Sequence, residues 1–184
     1  MGNKKNEVKN EEKDTKVKKK SVSEIRKELR KKARDIDIEI MNISNGSLVY
    51  QKGNLNIDLD NIGDTNIVSL ESLISVKGKG LMENLYISIV DIYDEEYSLK
   101  DVIDVLGLTK AYKHCDMTID GIDEFIEETS GEKFEKEIEK ADDKFTARII
   151  ERAVYLAMND KFDSNYKRSV LEKKANNRFL FNVI

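Results

Sequence analysis

Hydrophobic and polar residues alternate along two stretches in the first half of the chain. Isoleucines alternate with charged residues over residues 35–40, and leucine and isoleucine repeat the pattern over residues 55–59. Two turn signals, SNGS at 44–47 and QKGN at 51–54, lie on either side of a short apolar run at 48–50. A period of two is typical of a strand with one buried face. The sequence therefore predicts a three-stranded antiparallel meander over residues 36–60.

The apolar face of this predicted meander needs a covering element. Ser69 is a favourable N-cap for a helix that places Leu70, Leu73 and Ile74 on one side. We expect this helix to cover the meander. Residues 85–92, LYISIVDI, form a further apolar run of strand length and are expected to pair with it.

Beyond residue 98 the apolar spacing becomes helical. Ser98 and Asp101 form a capping-box pair, Gly107 is a favourable stop signal, and Ser130 is a further N-cap candidate. The predicted helical segments cover residues 98–107, 109–114, 121–128, 130–141, 144–160 and roughly 164–175, and an extended segment follows at 178–184. Together these patterns predict an α+β fold: a small antiparallel β-meander with a covering helix, then a mainly helical C-terminal half.

The N-terminal segment has a different character. Residues 1–20 mix charges of both signs without aromatic residues, a composition that does not bury enough apolar surface to order the chain alone. Ser21 and Glu24 then form a second capping-box pair, which predicts a short amphipathic helix. Its apolar stripe comprises Val22, Ile25, Leu29 and Ala33, and its opposite basic face comprises Lys27, Arg30, Lys31 and Arg34. The stripe is expected to pack on its own domain or on a neighbour, and the basic face on an acidic surface or nucleic acid.

Charge separates this arm from the rest of the chain. Residues 1–34 contain 14 Lys and Arg against 6 Asp and Glu, which leaves 18 basic and 30 acidic residues for the other 150. The net charge of −4 thus combines +8 with −12. We therefore divide the chain into a basic N-terminal arm (1–34), a β-meander region with its helix (35–97) and a helical region with an extended C-terminus (98–184).

Composition narrows the classes of protein. A single Cys excludes an internal disulfide framework and fits a reducing compartment. No apolar run follows the basic start, and no stretch approaches the roughly 18–20 apolar residues of a membrane span. We therefore expect neither a secretory signal nor a membrane partner.

Residues 115–128, CDMTIDGIDEFIEE, have the oxygen spacing of a calcium loop. Asp116, Thr118, Asp120 and Glu127 fall at ligand positions, and Gly121 falls at the turn position. However, Asp123 occupies a position that is normally apolar, and the sequence has no second loop to pair with it. The alternative is a helix start in which Asp120 is the cap. We favour the helix start and expect no metal and no cofactor.

Other candidate sites carry weaker signals. His114 and Cys115 are neighbours, but adjacent residues of one element point in different directions and there is no second His. The carboxylates of residues 91–97 lie in one short segment, so solvated surface is the better interpretation. Residues 76–80, VKGKG, lack the frame of a phosphate-binding loop.

Three stretches carry a family resemblance: EIMNISNGSLVYQ, IGDTNIVSLESLISV and SLKDVIDVLGLTKAYKH. Over residues 36–114 they resemble structural proteins of tailed bacteriophages, which have a Gly-Ser-Leu-Val/Ile-Tyr strand, a Leu-x-x-Leu helix and an acidic helix ending in Leu-Gly-Leu. The second turn, QKGNLNIDL, departs from that pattern. The resemblance implies a building block of the virion, assembled in the host cytoplasm, with no catalytic residue.

Two functions follow as expectations. In the first, the chain is a non-catalytic structural component of a phage particle whose arm clasps other virion proteins, in particular copies of itself. In the second, it is an accessory or regulatory protein that binds nucleic acid through the arm. The arm lacks the aromatic residues that stack on single-stranded bases. The scarcity of His, Cys and Gly-rich loops argues against an enzyme.

Overall fold

The computed structural model describes residues 20–76 and 80–182, and it confirms the α+β class. The strands are β1 (Asp37–Asn42), β2 (Leu48–Lys52), β3 (Leu55–Leu59), β4 (Thr65–Ser69) and β5 (Ile87–Tyr93). The helices are α1 (Val22–Lys32), α2 (Leu70–Val76), α3 (Leu99–Leu106), α4 (Thr109–Tyr112), α5 (Ile119–Glu127), α6 (Gly131–Lys140), α7 (Asp143–Met158) and α8 (Asn165–Ala175). The five strands of the described residues thus lie in the first half together with α1 and α2, and the elements after β5 are all helices.

The predicted meander needs a correction in its strand order. β1 lies at the centre of a three-stranded sheet between β4 and β5, and both neighbours are antiparallel to it. β2 and β3 form a separate two-stranded hairpin around the turn at Gly53, whose φ of +59° is favourable for glycine. The Asn-Gly signal at residues 45–46 therefore does not join paired strands.

Asn42, which is fully buried at the end of β1, makes hydrogen bonds to the loops on either side of the β2–β3 hairpin. Its Nδ2 donates to the carbonyl oxygens of Gly46 and Asn61, at 2.7 and 3.0 Å. Its Oδ1 accepts from the backbone nitrogen of Ser44 at 3.0 Å and from the Ser44 hydroxyl at 2.7 Å. All four hydrogen-bonding positions of the amide are used. Asn42 therefore holds two loops together and directs the chain away from β1.

The central sheet has one apolar face and one polar face. Ile38 and Ile40 of β1 point into the protein with Ile87 and Ile89 of β5. At the alternate positions Asp37, Glu39, Asp91 and Tyr93 face outward, whereas Met41 packs against the C-terminal core and Ser88 is buried. A β-bulge after Glu39 shifts the register between β1 and β5.

Two groups of buried side chains fill the protein. The N-terminal core is formed by residues of α1, β1, β3, α2, β5 and α3. The C-terminal core is formed mainly by α5, α6, α7 and α8, together with Ile43 and Leu85 from the first half. Tyr112 packs against both cores, and its hydroxyl accepts from the Ile89 nitrogen at 2.5 Å and donates to the Ile89 oxygen at 3.3 Å.

Several predicted helix boundaries are confirmed. Ser98 and Asp101 form the capping box of α3, and Gly107 ends that helix with φ +77°. Ser130 is the N-cap residue of α6 but makes no side-chain capping bond. The predicted break between the helical segments 130–141 and 144–160 is confirmed, because Asp142 caps α7 through a 2.9 Å bond from the Phe145 nitrogen.

The extended segment predicted at the C-terminus is wrong for the described residues. Residues 178–181 form a turn, in which the Asn182 nitrogen donates to the Phe179 oxygen at 3.1 Å. Phe181 is buried against Phe162, and the Arg168 guanidinium lies over both rings. Aromatic packing and this cation hold the turn on the helical half.

Candidate interaction surface on the first helix

The predicted N-terminal helix forms as α1 and begins at its capping box. The Ser21 nitrogen donates to Glu24 Oε2 at 2.8 Å, and the Glu24 nitrogen donates to Ser21 Oγ at 3.3 Å. These bonds satisfy two backbone donors that a helix start leaves without intrahelical partners. Lys31 and Lys32 lie in the last turn, where a positive charge complements the helix dipole.

The apolar stripe of α1 packs on the chain's own N-terminal core. Leu29 is fully buried, Ala33 is nearly so, and Ile25 is partly buried against the same core. Only Val22 is well exposed, at 60%. Of the two alternatives, packing on its own domain or on a neighbour, the structure shows the first for Leu29 and Ala33, which are out of reach of a partner. A polar substitution at Leu29 would therefore destabilise the fold, so its effect on binding could not be separated from its effect on folding.

Cations beside this stripe pair with carboxylates of the same chain. Arg26 donates to both oxygens of Asp104 on α3, each at 2.7 Å. Lys32 and Lys20 both contact Glu96, the latter at 2.9 Å. Hydrogen bonds from Lys32 and then Lys20 lower the pKa of Glu96 to about 2. Bidentate arginine geometry and a shared carboxylate fix the orientation of α1 on the body.

The opposite face of α1 behaves differently. Its cations are Lys27, Arg30 and Lys31 on the helix and Arg34 just after its C-cap, and all four are exposed. Within residues 20–76 and 80–182, none of them forms an ion pair. Their spacing of three and four residues places them along one side of the helix. We call these four residues the basic face; it is a fixed cationic surface because the other side of α1 is packed and paired.

The calcium-like segment is a helix start. The Thr118 hydroxyl accepts from the Gly121 nitrogen at 3.1 Å and is the N-cap of α5, so the predicted cap at Asp120 is corrected to Thr118. Asp116 Oδ1 accepts from the Thr118 nitrogen at 3.3 Å. A Cβ on Gly121 would meet the Asp116 backbone oxygen at 2.6 Å, which explains the glycine by close packing. No group of three or more His, Cys, Asp or Glu in the described residues could hold a metal ion.

His114 and Cys115 lie at the edge of the C-terminal core. His114 Nδ1 is 2.8 Å from Glu137 Oε2, and the imidazole lies 4.8 Å from the Phe145 ring centre. This side chain is only 3% exposed. Burial, with a smaller contribution from Asp116, raises the pKa of the Cys115 thiol to about 12. The thiolate needed for nucleophilic attack is therefore disfavoured.

The other predicted candidates are accounted for by local contacts. Asp94 Oδ1 accepts from the backbone nitrogens of Glu96 and Tyr97, at 2.7 and 3.2 Å, and so shapes the turn before α3. Glu96 pairs with lysines as described above. Val76 ends α2, and residues 77–79 of the glycine-lysine segment lie outside the described residues.

Two features of this surface were not found from the sequence. Asp104 and Glu96 are separated by more than sixty residues from their partners on α1. Their acidity is visible in the sequence, but nothing local indicates that they face the basic helix. Among the helices of residues 20–76 and 80–182, none is long and apolar enough to cross a membrane.

Comparisons with known proteins give no relative for this fold or this surface. No family model matches the chain. No curated protein and no solved structure matches it either.

Proposed function

We propose that this chain is a non-catalytic structural component of a tailed-phage particle and that the basic face of α1 holds it to its neighbours. The observation that carries the proposal is the contrast between the two sides of α1. Arg26 and Lys32 form ion pairs with carboxylates of the same chain. The four cations of the basic face form no ion pair with any of the described residues. The resemblance of residues 36–114 to structural proteins of tailed bacteriophages supports the assignment to a phage particle.

Rigid presentation favours such a contact. α1 is held by its buried stripe and by the Arg26–Asp104 pair, so the helix itself loses little freedom when a partner binds. The remaining entropic cost of binding comes from ordering the long Lys and Arg side chains of the basic face. Exposed cations mainly steer and orient a partner, so an acidic protein surface is the expected complement.

Nucleic acid is the second candidate partner, and the same observation favours it. Cations at intervals of three and four residues follow one side of a helix and can each neutralise a phosphate. Binding of this kind weakens steeply as salt is raised. Removal of three cations should reduce the slope of log affinity against log salt by about three.

The test begins with mass spectrometry of purified particles, in which we expect the wild-type chain in a constant ratio to the other structural proteins. A triple variant, Lys27→Gln with Arg30→Gln and Lys31→Gln, should be depleted from particles. The matched control removes three exposed lysines of α6, through Lys133→Gln, Lys136→Gln and Lys140→Gln, and should be retained.

Two outcomes would contradict the proposal. Absence of the wild-type chain from particles would remove the structural role. Normal incorporation of the α1 triple variant, together with loss of its salt-sensitive retention on duplex DNA, would assign the basic face to nucleic acid.

A further inference from the structure

The outward face of the central sheet is acidic. Asp37 and Glu39 on β1 and Asp91 on β5 occupy outward positions, and β1, β4 and β5 contain no Lys or Arg. Glu39 is the register partner of Asp91, and Asp37 is the register partner of Tyr93. We call these three carboxylates and the outward strand positions around them the acidic sheet face.

This face carries an electrostatic cost in the isolated chain. Like charges directly opposite each other on neighbouring strands destabilise a sheet. Glu39 is partly satisfied, because Tyr93 Oη donates to its Oε2 at 2.8 Å. This hydrogen bond, followed by burial and by the charges of Glu39 and Asp91, raises the pKa of Tyr93. A cationic partner would relieve the repulsion.

Apolar surface accompanies the charges. Ile67, the register partner of Glu39 on β4, is 55% exposed, and Tyr93 is 52% exposed. Lysine and arginine carry long aliphatic stems that cover such residues while their charged ends reach carboxylates. A basic helix is therefore a better complement to this face than a small cation.

The chain contains a surface of matching spacing. Two residues along a strand span roughly 7 Å and neighbouring strands lie about 5 Å apart, so the three carboxylates form a compact triangle. Cations three or four residues apart on a helix are separated by roughly 5–6 Å. One turn of the basic face of α1 thus presents charges at the separation of Asp37, Glu39 and Asp91.

The two surfaces cannot meet within one molecule. The inner side of the sheet and the inner side of α1 belong to the same N-terminal core, and each outer face points away from it. From this charge complementarity we infer that the basic face of α1 docks on the acidic sheet face of a second copy of the chain. Contact between two different patches is head-to-tail, and it continues into rings or filaments. The inference rests on the proposed assembly role and names its partner.

Charge reversal on each side tests it. One variant, Arg30→Glu with Lys31→Glu, makes the helix acidic; the other, Asp37→Lys with Asp91→Lys, makes the sheet basic. The purified wild-type chain, free of nucleic acid, should associate in sedimentation velocity at about 50 mM salt and dissociate at about 500 mM. Each variant alone should associate at least about tenfold more weakly. An equal mixture of the two variants should recover association, because each then offers the complement of the other.

The melting temperature of each variant separates binding from folding. Asp91→Lys removes a repulsive cross-strand pair but also the 2.8 Å bond from the Ile92 nitrogen to Asp91 Oδ1, so the sheet variant should stay folded with a melting temperature close to that of the wild type. Association of either variant at the wild-type level, or a mixture that stays dissociated while both variants are folded, overturns the inference. A wild-type chain that is present in particles but does not associate with itself also overturns it and leaves the structural role intact. Association through these faces by a chain absent from particles contradicts the proposed function alone.

Discussion

The N-terminal and C-terminal cores are built from different side chains. Apart from Ala33, Met82 and Tyr97, the N-terminal core is formed by Ile, Leu and Val, and it contains no Phe. All six Phe residues lie beyond residue 98, and five of them are buried in the C-terminal core. Phe125 packs on Phe134 and Phe145, with ring centres 5.2 and 5.8 Å apart. The first half is therefore an aliphatic core on a sheet, and the second an aromatic core between helices.

The difference follows from the geometry of each half. A pleated sheet presents side chains at a period of two, and β-branched isoleucine packs well on that surface. Short helices that cross one another leave larger and less regular spaces, which flat aromatic rings fill with favourable edge contacts. The alternating isoleucines of β1 thus suit packing on a sheet, and the phenylalanines of α5, α6 and α7 suit packing between helices.

The two halves also bury polar groups in different ways. The N-terminal half uses the neutral amide of Asn42, whose bonds all go to loops and turns. The C-terminal half buries a charge: Lys167 Nζ donates to the carbonyl oxygens of Ile126 and Glu127, at 2.7 and 2.8 Å. Burial lowers the pKa of Lys167. This lysine satisfies carbonyl groups at the end of α5 that have no intrahelical partner.

The largest expected effect tests the aromatic core. Phe145→Ala removes a fully buried ring that touches both Phe125 and His114, and it should lower the free energy of unfolding by about 3–5 kcal/mol. Phe179→Ala is the matched control, because that ring is 69% exposed and its loss should change stability by at most about 0.5 kcal/mol. Urea unfolding followed by circular dichroism measures both. Equal losses in the two variants would show that the aromatic core is not the source of stability.

An intermediate effect tests the buried amide. Asn42→Ala leaves the Gly46 and Asn61 carbonyl oxygens without their donors, so we expect a loss of about 1–3 kcal/mol. Asn45→Ala changes an exposed asparagine three residues later, which makes one 3.2 Å bond to the Glu151 oxygen, and should be nearly neutral. Amide hydrogen exchange should also quicken at residues 42–46 in the first variant. If only the second variant is destabilised, Asn42 does not hold the loops.

The smallest expected effect concerns the ion pairs that hold α1 on the N-terminal half. The pKa of Glu96 is lowered from 4.5 to about 2 in the folded chain, so its contribution to stability is present above pH 4.5 and is lost as pH falls through 2. In Glu96→Gln, the decline in melting temperature over this window should be shallower than in the wild type. The contribution is small because the pair is exposed and screened by salt. Glu95→Gln is the control, and identical acid profiles for Glu96→Gln and the wild type would contradict the assignment.

Patterns of residues close in sequence predicted the helices and strands better than they predicted which of these elements pack or pair with each other. The capping boxes at Ser21 and Ser98 and the alternation around Ile38 depend on residues close in sequence, and the structure confirms them. The strand β4 was missed because TNIVS has no alternating apolar pattern and its residues are only partly buried or exposed. Its pairing with β1 joins residues up to 32 positions apart, for which the sequence carries no local signal.

The candidate surface was predicted in part for the same reason. Helical spacing placed the apolar stripe and the basic face of α1 on opposite sides, as the structure shows. It did not show what the stripe touches. Both its own domain and a neighbour were open, and only the position of Leu29 in the N-terminal core decides between them. The partners Asp104 and Glu96, like the loops held by Asn42, depend on tertiary contacts alone.

The contact between Tyr112 and β5 limits how this protein can aggregate. β5 is an outer strand of its sheet, and an outer strand offers free backbone groups to any passing chain, a route to fibrils. The Tyr112 hydroxyl occupies both backbone groups of Ile89, in the middle of that strand. An incoming strand would have to displace this partly buried side chain before it could extend the sheet. Strand addition at Ile89 would therefore cost both Tyr112 hydrogen bonds, which disfavours growth of the sheet along β5.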